Sequence, residues 1–204
     1  MQSERVQIPL GPDGTLKIGV ISDTHIPDRA RHLHPGVMAY FREAGVGTVL
    51  HGGDVAVRSV LEELGHLGPV IAVRGNRDWL LAQELPLAVQ IQVGDVEIGL
   101  AHGHGGMLRY FLDKYQYFRE GYKVERYRGY LRRVFPEAKL IVFGHTHRPE
   151  CVWKDGTLFF NPGAAGFPAL TDVGPTIGLL EVGPGDAVRG RIVALEGLET
   201  LGRS

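Results

Sequence analysis

The amino-acid sequence predicts an α/β fold, and two observations carry that prediction. Short runs rich in Val and Ile recur along the chain, each closed by a polar or glycine-rich break, as buried strands are. Between the early runs lie segments with apolar residues at helical spacing, and strand alternating with helix is the signature of the α/β class. With 204 residues, 44% hydrophobic and 22% charged, the chain can bury one good core, so a single domain over residues 1–204 is expected.

The elements follow in order. Residues 6–10, the turn GPDG and the next strand predict a hairpin. Main strands are expected at 15–22 (TLKIGVIS), 48–50 (TVL), 70–73 (VIAV), 96–101 (VEIGLA) and 140–143 (LIVF). Helices are expected at 36–43 behind Pro35, and at 57–67, where Val60, Leu61 and Leu64 form a stripe and Gly65 or Gly68 can close the end. After Leu140 the helices stop. Runs at 158–160, 177–182 and 191–195, separated by Gly and Pro turns, predict a second, mostly antiparallel sheet.

Composition excludes some functions. Twenty-two basic and 23 acidic residues give a formal charge of -1, so no global field favours nucleic acid or a membrane surface. No apolar stretch approaches the length that spans a bilayer. The single cysteine, Cys151, excludes an intrachain disulfide and a cysteine zinc cluster; it reads as a small buried hydrophobe in a reducing compartment. A cytoplasmic protein is expected.

The strand ends carry the chemistry. The first main strand runs into Asp23-Thr24-His25, the second into HGGD with Asp54, and the third into GNRD with Asn76. The fourth runs into HGHG with His102, and the fifth into GHTH with His145 and His147. In α/β sheets the carboxyl ends of the strands border the ligand crevice, so these donors are expected to converge. Two aspartates, an asparagine oxygen and four histidines exceed what one ion needs. They suit two divalent cations sharing a carboxylate, manganese first, with iron, zinc, nickel or cobalt as alternatives. D-x-H and H-x-H would place alternate side chains on one side of an extended backbone. Glycines 52, 53, 75, 103 and 144 would let the chain turn beside the ions.

The ordered series DTH, GGD, GNRD, HGHG and GHTH resembles the calcineurin-like metallophosphoesterase superfamily, and the short chain is most similar to its small bacterial and archaeal phosphodiesterase branch. The motifs span residues 17–166, where NPGAAG is similar to the turn that follows in that branch. The resemblance implies a four-layer α/β/β/α sandwich of two mixed sheets flanked by helices. It implies Asp23, His25 and His147 on one ion, Asn76, His102 and His145 on the other, and Asp54 bridging. It also implies hydrolysis of phosphate esters by in-line attack of a metal-bound hydroxide.

One departure is informative. The position after the site asparagine is often histidine in the superfamily, proposed as the acid for the leaving group, but here it is Arg77. Arginine cannot donate that proton at neutral pH, whereas it can clamp a phosphate oxygen. Either His104 assists the leaving group, or the substrates need little help. Asp78 reads equally as an orienting partner of a ligand or as a helix cap before Trp79. His51 reads as a packed histidine or a residue behind the ions, and Asn161 as a ligand contact or a turn residue. His32, His34 and His66 read as incidental.

Residues 108–134 hold six of the seven tyrosines and an excess of Arg and Lys. They predict a helical insertion near the cleft, divided at Gly121 and Gly129. Three roles are open for it: tyrosines packed on the sheet, which is the usual use of aromatic stripes, a cleft wall offering cations to phosphates and rings to bases, or a homo-oligomer interface.

Three functions follow. The preferred one is a phosphodiesterase of small phosphate esters, with nucleotides among the candidates. The others are a monoester or protein phosphatase, and a non-enzymatic scaffold of the retromer-small-subunit type. Occupancy of all seven ligand positions weighs against the scaffold.

Overall fold

A computed structural model of the protein describes residues 4–28, 30–81, 83–166 and 173–198. In chain order the elements are β1 (Glu4–Ile8), β2 (Leu16–Ile21), α1 (Pro35–Glu43), β3 (Thr48–His51), α2 (Arg58–Leu64) and β4 (Val70–Ala72). Then come β5 (Ala88–Val93), β6 (Val96–Ala101), α3 (Met107–Glu120), α4 (Val124–Val134) and β7 (Leu140–Phe143). Last are β8 (Glu150–Lys154), β9 (Thr157–Asn161), β10 (Thr176–Val182) and β11 (Val188–Ala194).

The strands form two mixed sheets, ordered β1-β5-β6-β7-β9-β8 and β11-β10-β2-β3-β4. β2, β3 and β4 are mutually parallel, as are β6, β7 and β9. The facing sides of the two sheets share a core that includes Ile18, Val20, Leu50, Ile98, Leu100, Val142 and Phe160. Val37 and Phe41 of α1 and Val60 and Leu64 of α2 cover the outer side of the five-stranded sheet. Leu131 of α4 and Phe135 after it cover the outer side of the six-stranded sheet, with Ile141 and Phe143. The result is the expected α/β/β/α sandwich.

Local chemistry explains the helix starts and the closeness of the layers. His34 caps α1 through Nδ1, which accepts the Gly36 N–H at 3.1 Å, and Pro35 occupies the first turn, where no N–H partner is missed. The α2 stripe ends at Leu64 and a 3₁₀ turn, Gly65–Leu67, follows. Central strands carry a glycine where a phenyl ring from the next layer presses on them. A Cβ on Gly19 would sit 2.9 Å from the Phe41 ring, and one on Gly99 would sit 2.4 Å from the Phe135 ring.

Three expectations change. β1 makes no hairpin with β2; it pairs parallel with β5, Glu4 opposite Val89. β2 is flanked by β3 and β10 in the other sheet and has no free side. The strands after Leu140 do not build a sheet of their own. β7, β8 and β9 extend the sheet of β5 and β6, while β10 and β11 pair antiparallel onto β2. Apolar runs reveal a strand but not its neighbour. Cys151 is exposed on the edge strand β8 rather than buried.

Candidate metal centre

All five motif-bearing strands end at one rim, because β2, β3 and β4 point their carboxyl ends toward the same place as β6 and β7. Backbone bonds tie the rim together: Asp23 N–H donates to Gly53 O at 2.9 Å, His25 N–H to Asp54 O at 3.1 Å, and Gly144 N–H to His102 O at 3.2 Å. The loops are not extended as expected from the D-x-H and H-x-H spacing. Asp23, His25, Asp54, His145 and His147 all have positive φ, between 49° and 68°. Asp and His tolerate the left-handed region better than most residues, yet each instance costs on the order of 1–3 kcal/mol and persists only where the surroundings dictate it. Close approach also demands glycine. A Cβ on Gly75 would lie 2.1 Å from Asp54 Oδ1, and one on Gly144 would lie 2.0 Å from Ser22 Oγ.

Two groups of donors result. Nε2 of His147 lies 3.2 Å from Oδ1 of Asp23, Nε2 of His25 lies 3.8 Å from the same oxygen, and the two ring nitrogens are 3.2 Å apart. Beside them, Nε2 of His102 is 3.2 Å from Asn76 Oδ1 and 3.6 Å from Asp54 Oδ1. The other oxygen of Asp54, Oδ2, lies 3.8 Å from His25 Nε2. Asp54 thus stands between the groups with one oxygen toward each. The ring of His145 lies against that of His102, centroids 5.1 Å apart.

Surrounding groups aim these donors. His102 Nδ1–H donates a hydrogen bond to the carbonyl of Gly52 at 2.7 Å, so in the neutral ring the Nε2 lone pair is left for a ligand role. Asp23 Oδ2 accepts from Ser22 Oγ at 2.6 Å and from the His145 N–H at 3.1 Å, while Oδ1 is buried with no hydrogen-bond donor. Asp78 is buried and accepts the N–H groups of Asp54, Ala56 and Gly75 at 3.0, 2.7 and 2.7 Å. No helix begins at Trp79, so Asp78 acts as an anchor of the Asp54 loop and not as a helix cap. Asn161 donates to Gly144 O and Thr146 Oγ1, both at 3.0 Å, and so pins the GHTH turn. His51 is fully buried, hydrogen-bonded to the Gly53 N–H and close to Thr24 Oγ1, and serves packing.

The electrostatics of the site fit a cation. Burial opposes ionisation of Asp23, yet the approach of His147 and charge on His102 outweigh it and hold the carboxyl well below its usual range. Burial raises Asp54 to about 6, and burial lowers His25 to about 4 and His145 to about 3. His102 is raised, because Asp54 and Asp23 overcome its burial. A buried carboxylate oxygen without a donor, facing the Nε2 atoms of His147 and His25, is a donor set suited to a divalent ion.

The rim opens into a cleft of about 250 Å³. Its floor is His25, Asp54, Asn76, His145 and His147, with Arg77 at one side. Tyr110, Asp113, Lys114 and Tyr117 of α3 and Tyr127 of α4 form a further wall. Arg77 is exposed and its Nη1 pairs with Asp28 Oδ2 at 3.3 Å. His104 lines a cavity of about 130 Å³ with Arg74, Asn76 and Trp79, its ring centroid 5.3 Å from that of His102, and burial lowers it to about 3. Sequence reading passed over Ser22 and the pinning role of Asn161, whereas the wall residues Tyr110, Asp113 and Lys114 lie in the 108–134 insertion it set near the cleft. Only Ser22, directly before DTH, carried a local signal.

Fold and site together define a metallophosphoesterase. A profile of the calcineurin-like phosphoesterase superfamily domain matches residues 16–185, and the chain belongs to that family. It is 34% identical over 165 residues to a probable metallophosphoesterase of Methanothermobacter thermautotrophicus, covering 81% of this chain and 85% of the relative. It is 27% identical over 180 residues to a phosphodiesterase of Methanocaldococcus jannaschii, covering 81% and 93%. Among solved structures, vacuolar protein sorting 29 from Cryptosporidium parvum superposes with a TM-score of 0.61 at 25% identity, covering 89% of this chain and 98% of that one.

Proposed function

We propose that the chain is a phosphodiesterase with a dinuclear metal centre, acting on small phosphate diesters. The observation that carries the reading is Asp54, whose two oxygens face His102 at 3.6 Å and His25 at 3.8 Å. In this reading Asp23, His25 and His147 hold one ion, Asn76, His102 and His145 the other, and Asp54 both; manganese is the first candidate. Such ions, when bound, supply charge neutralisation and water activation at neutral pH.

The remaining work falls to this chain's own side chains. Arg77 stands at the cleft with a free fork beyond its pairing to Asp28, and it clamps a non-bridging phosphate oxygen. Lys114, which also lines the cleft, offers a second cation to the phosphate. Buried, weakly basic His104 is a poor proton donor at neutral pH. Its placement therefore supports diesters whose leaving groups depart with little protonation over the reading in which His104 acts as the acid.

Hydrolysis of bis-p-nitrophenyl phosphate against p-nitrophenyl phosphate, with manganese and then with chelator, tests the reading. Faster turnover of the diester, abolished by chelator, is expected; preference for the monoester would make it a phosphatase. The likeness to vacuolar protein sorting 29 supports one rival, a non-catalytic scaffold. Absence of turnover of both esters under every metal would favour it.

A further inference from the structure

The third helix presents a second face that the cleft does not use. Of its described side chains none is buried. Tyr110, Asp113, Lys114 and Tyr117 face the cleft. Arg109 lies over the Tyr130 ring at 3.9 Å and Gln116 accepts from Arg126, so a second side leans on α4. On the third side Leu108, Phe111, Leu112, Tyr115 and Phe118 recur at the spacing of one helical stripe, and all are more than half exposed, Phe118 at 94%. Trp79 shares a cavity with Gly106, which precedes the helix, and Trp79 and Leu80 are also exposed.

A helix of 14 residues is marginal by itself in water, and helices in proteins persist by burying an apolar face. Among the described residues nothing covers that face. We propose that it is covered by the same face of a second copy of this chain, in a two-fold dimer with the α3 helices packed side by side.

Area favours this occupant. At 150–250 Å² for each aromatic ring, the stripe with Trp79 and Leu80 exposes on the order of 1,000 Å² of apolar side chain, beyond the few hundred that monomers usually leave in one patch. A stable interface needs about 800 Å² from each partner. A stripe spaced by three and four residues reads nearly alike in both directions, so two antiparallel copies interdigitate, as a two-fold contact requires. Charge disfavours a bilayer instead. The helix has three basic residues (Arg109, Lys114, Arg119) against two acidic (Asp113, Glu120), without the strong cationic excess of a helix held on anionic lipid. The pairing would also brace the opposite side of α3, where the cleft wall is built.

Sedimentation equilibrium of the whole chain tests the proposal. The unaltered protein is expected to dimerise at micromolar concentration, and Phe111→Asp with Phe118→Asp to raise the dissociation constant at least about 100-fold, the scale of losing two interface anchors. A Leu112→Cys chain also carrying Cys151→Ser, treated with a short bis-maleimide, keeps the test open should the aspartate variants misfold; a covalent dimer is expected. An unaltered protein that stays monomeric, dimers that survive both aspartates, or failure of the Leu112→Cys chain to cross-link would each overturn it. So would a monomer that floats with phosphatidylserine vesicles through this face.

Discussion

The carboxylate of Asp78 accepts the backbone N–H of Asp54 at 3.0 Å, and the same Oδ2 accepts the Gly75 N–H at 2.7 Å. One buried side chain therefore joins two motif loops that leave different strands. Asp78→Ala would strand the buried N–H groups of Asp54 and Gly75 and the half-buried one of Ala56, each buried one costing roughly 1–3 kcal/mol when unpaired. Manganese affinity by calorimetry should fall about 10- to 100-fold, as for other partners that orient ligands. Unchanged affinity and melting temperature would dismiss the anchor.

The orphaned Oδ1 of Asp23 leads to a prediction about metal removal. Stability should rise on metal addition, by about 2.7 kcal/mol at a hundred times the dissociation constant. Asp54→Asn should remove most of this gain and nearly all diester turnover. Scanning fluorimetry with manganese and with chelator checks both; a melting curve indifferent to metal would contradict the site.

Arg77 should act on transition-state charge and not on folding, since it is exposed. Arg77→Ala should lower kcat/KM about 10- to 100-fold, the worth of a charge-assisted hydrogen bond, with no change in melting temperature. Arg77→Lys should restore only part, because a lysine has no bidentate fork. Full restoration would mean that charge alone suffices.

Two glycines separate site from core. Gly75→Ala drives a Cβ into Asp54 Oδ1, and Gly99→Ala drives one into the Phe135 ring. The first should abolish metal binding. The second should cost about 1–3 kcal/mol of overpacking in urea unfolding and leave manganese affinity intact. Equal effects of both on metal affinity would contradict this separation.

Tyr117 lines the cleft and is half exposed. If it stacks on a substrate ring, Tyr117→Ala should raise KM for nucleotide diesters about 5- to 150-fold, the range of one base–aromatic contact. Dimethyl or other non-aromatic diesters should be unaffected. Equal losses on both substrates would remove base stacking from the account.

The residues themselves announced much of this protein. Polar donors directly after Val- and Ile-rich runs were legible, because a strand that is buried along its length can expose chemistry only where it stops. β5 was legible too, as the alternation AVQIQV, though attention to continuous apolar runs passed over it. Sheet membership was not, since β7 and β10 are both apolar runs and pairing depends on neighbours brought from far away. The left-handed backbone at the donors, the short reach from Asp78 to Asp54 and the packing of His104 beside His102 were likewise invisible, because each depends on two loops meeting. Composition and pattern determined the class of fold and the candidate donors; only packing decided which atoms face one another, because distance in space is independent of distance along the chain.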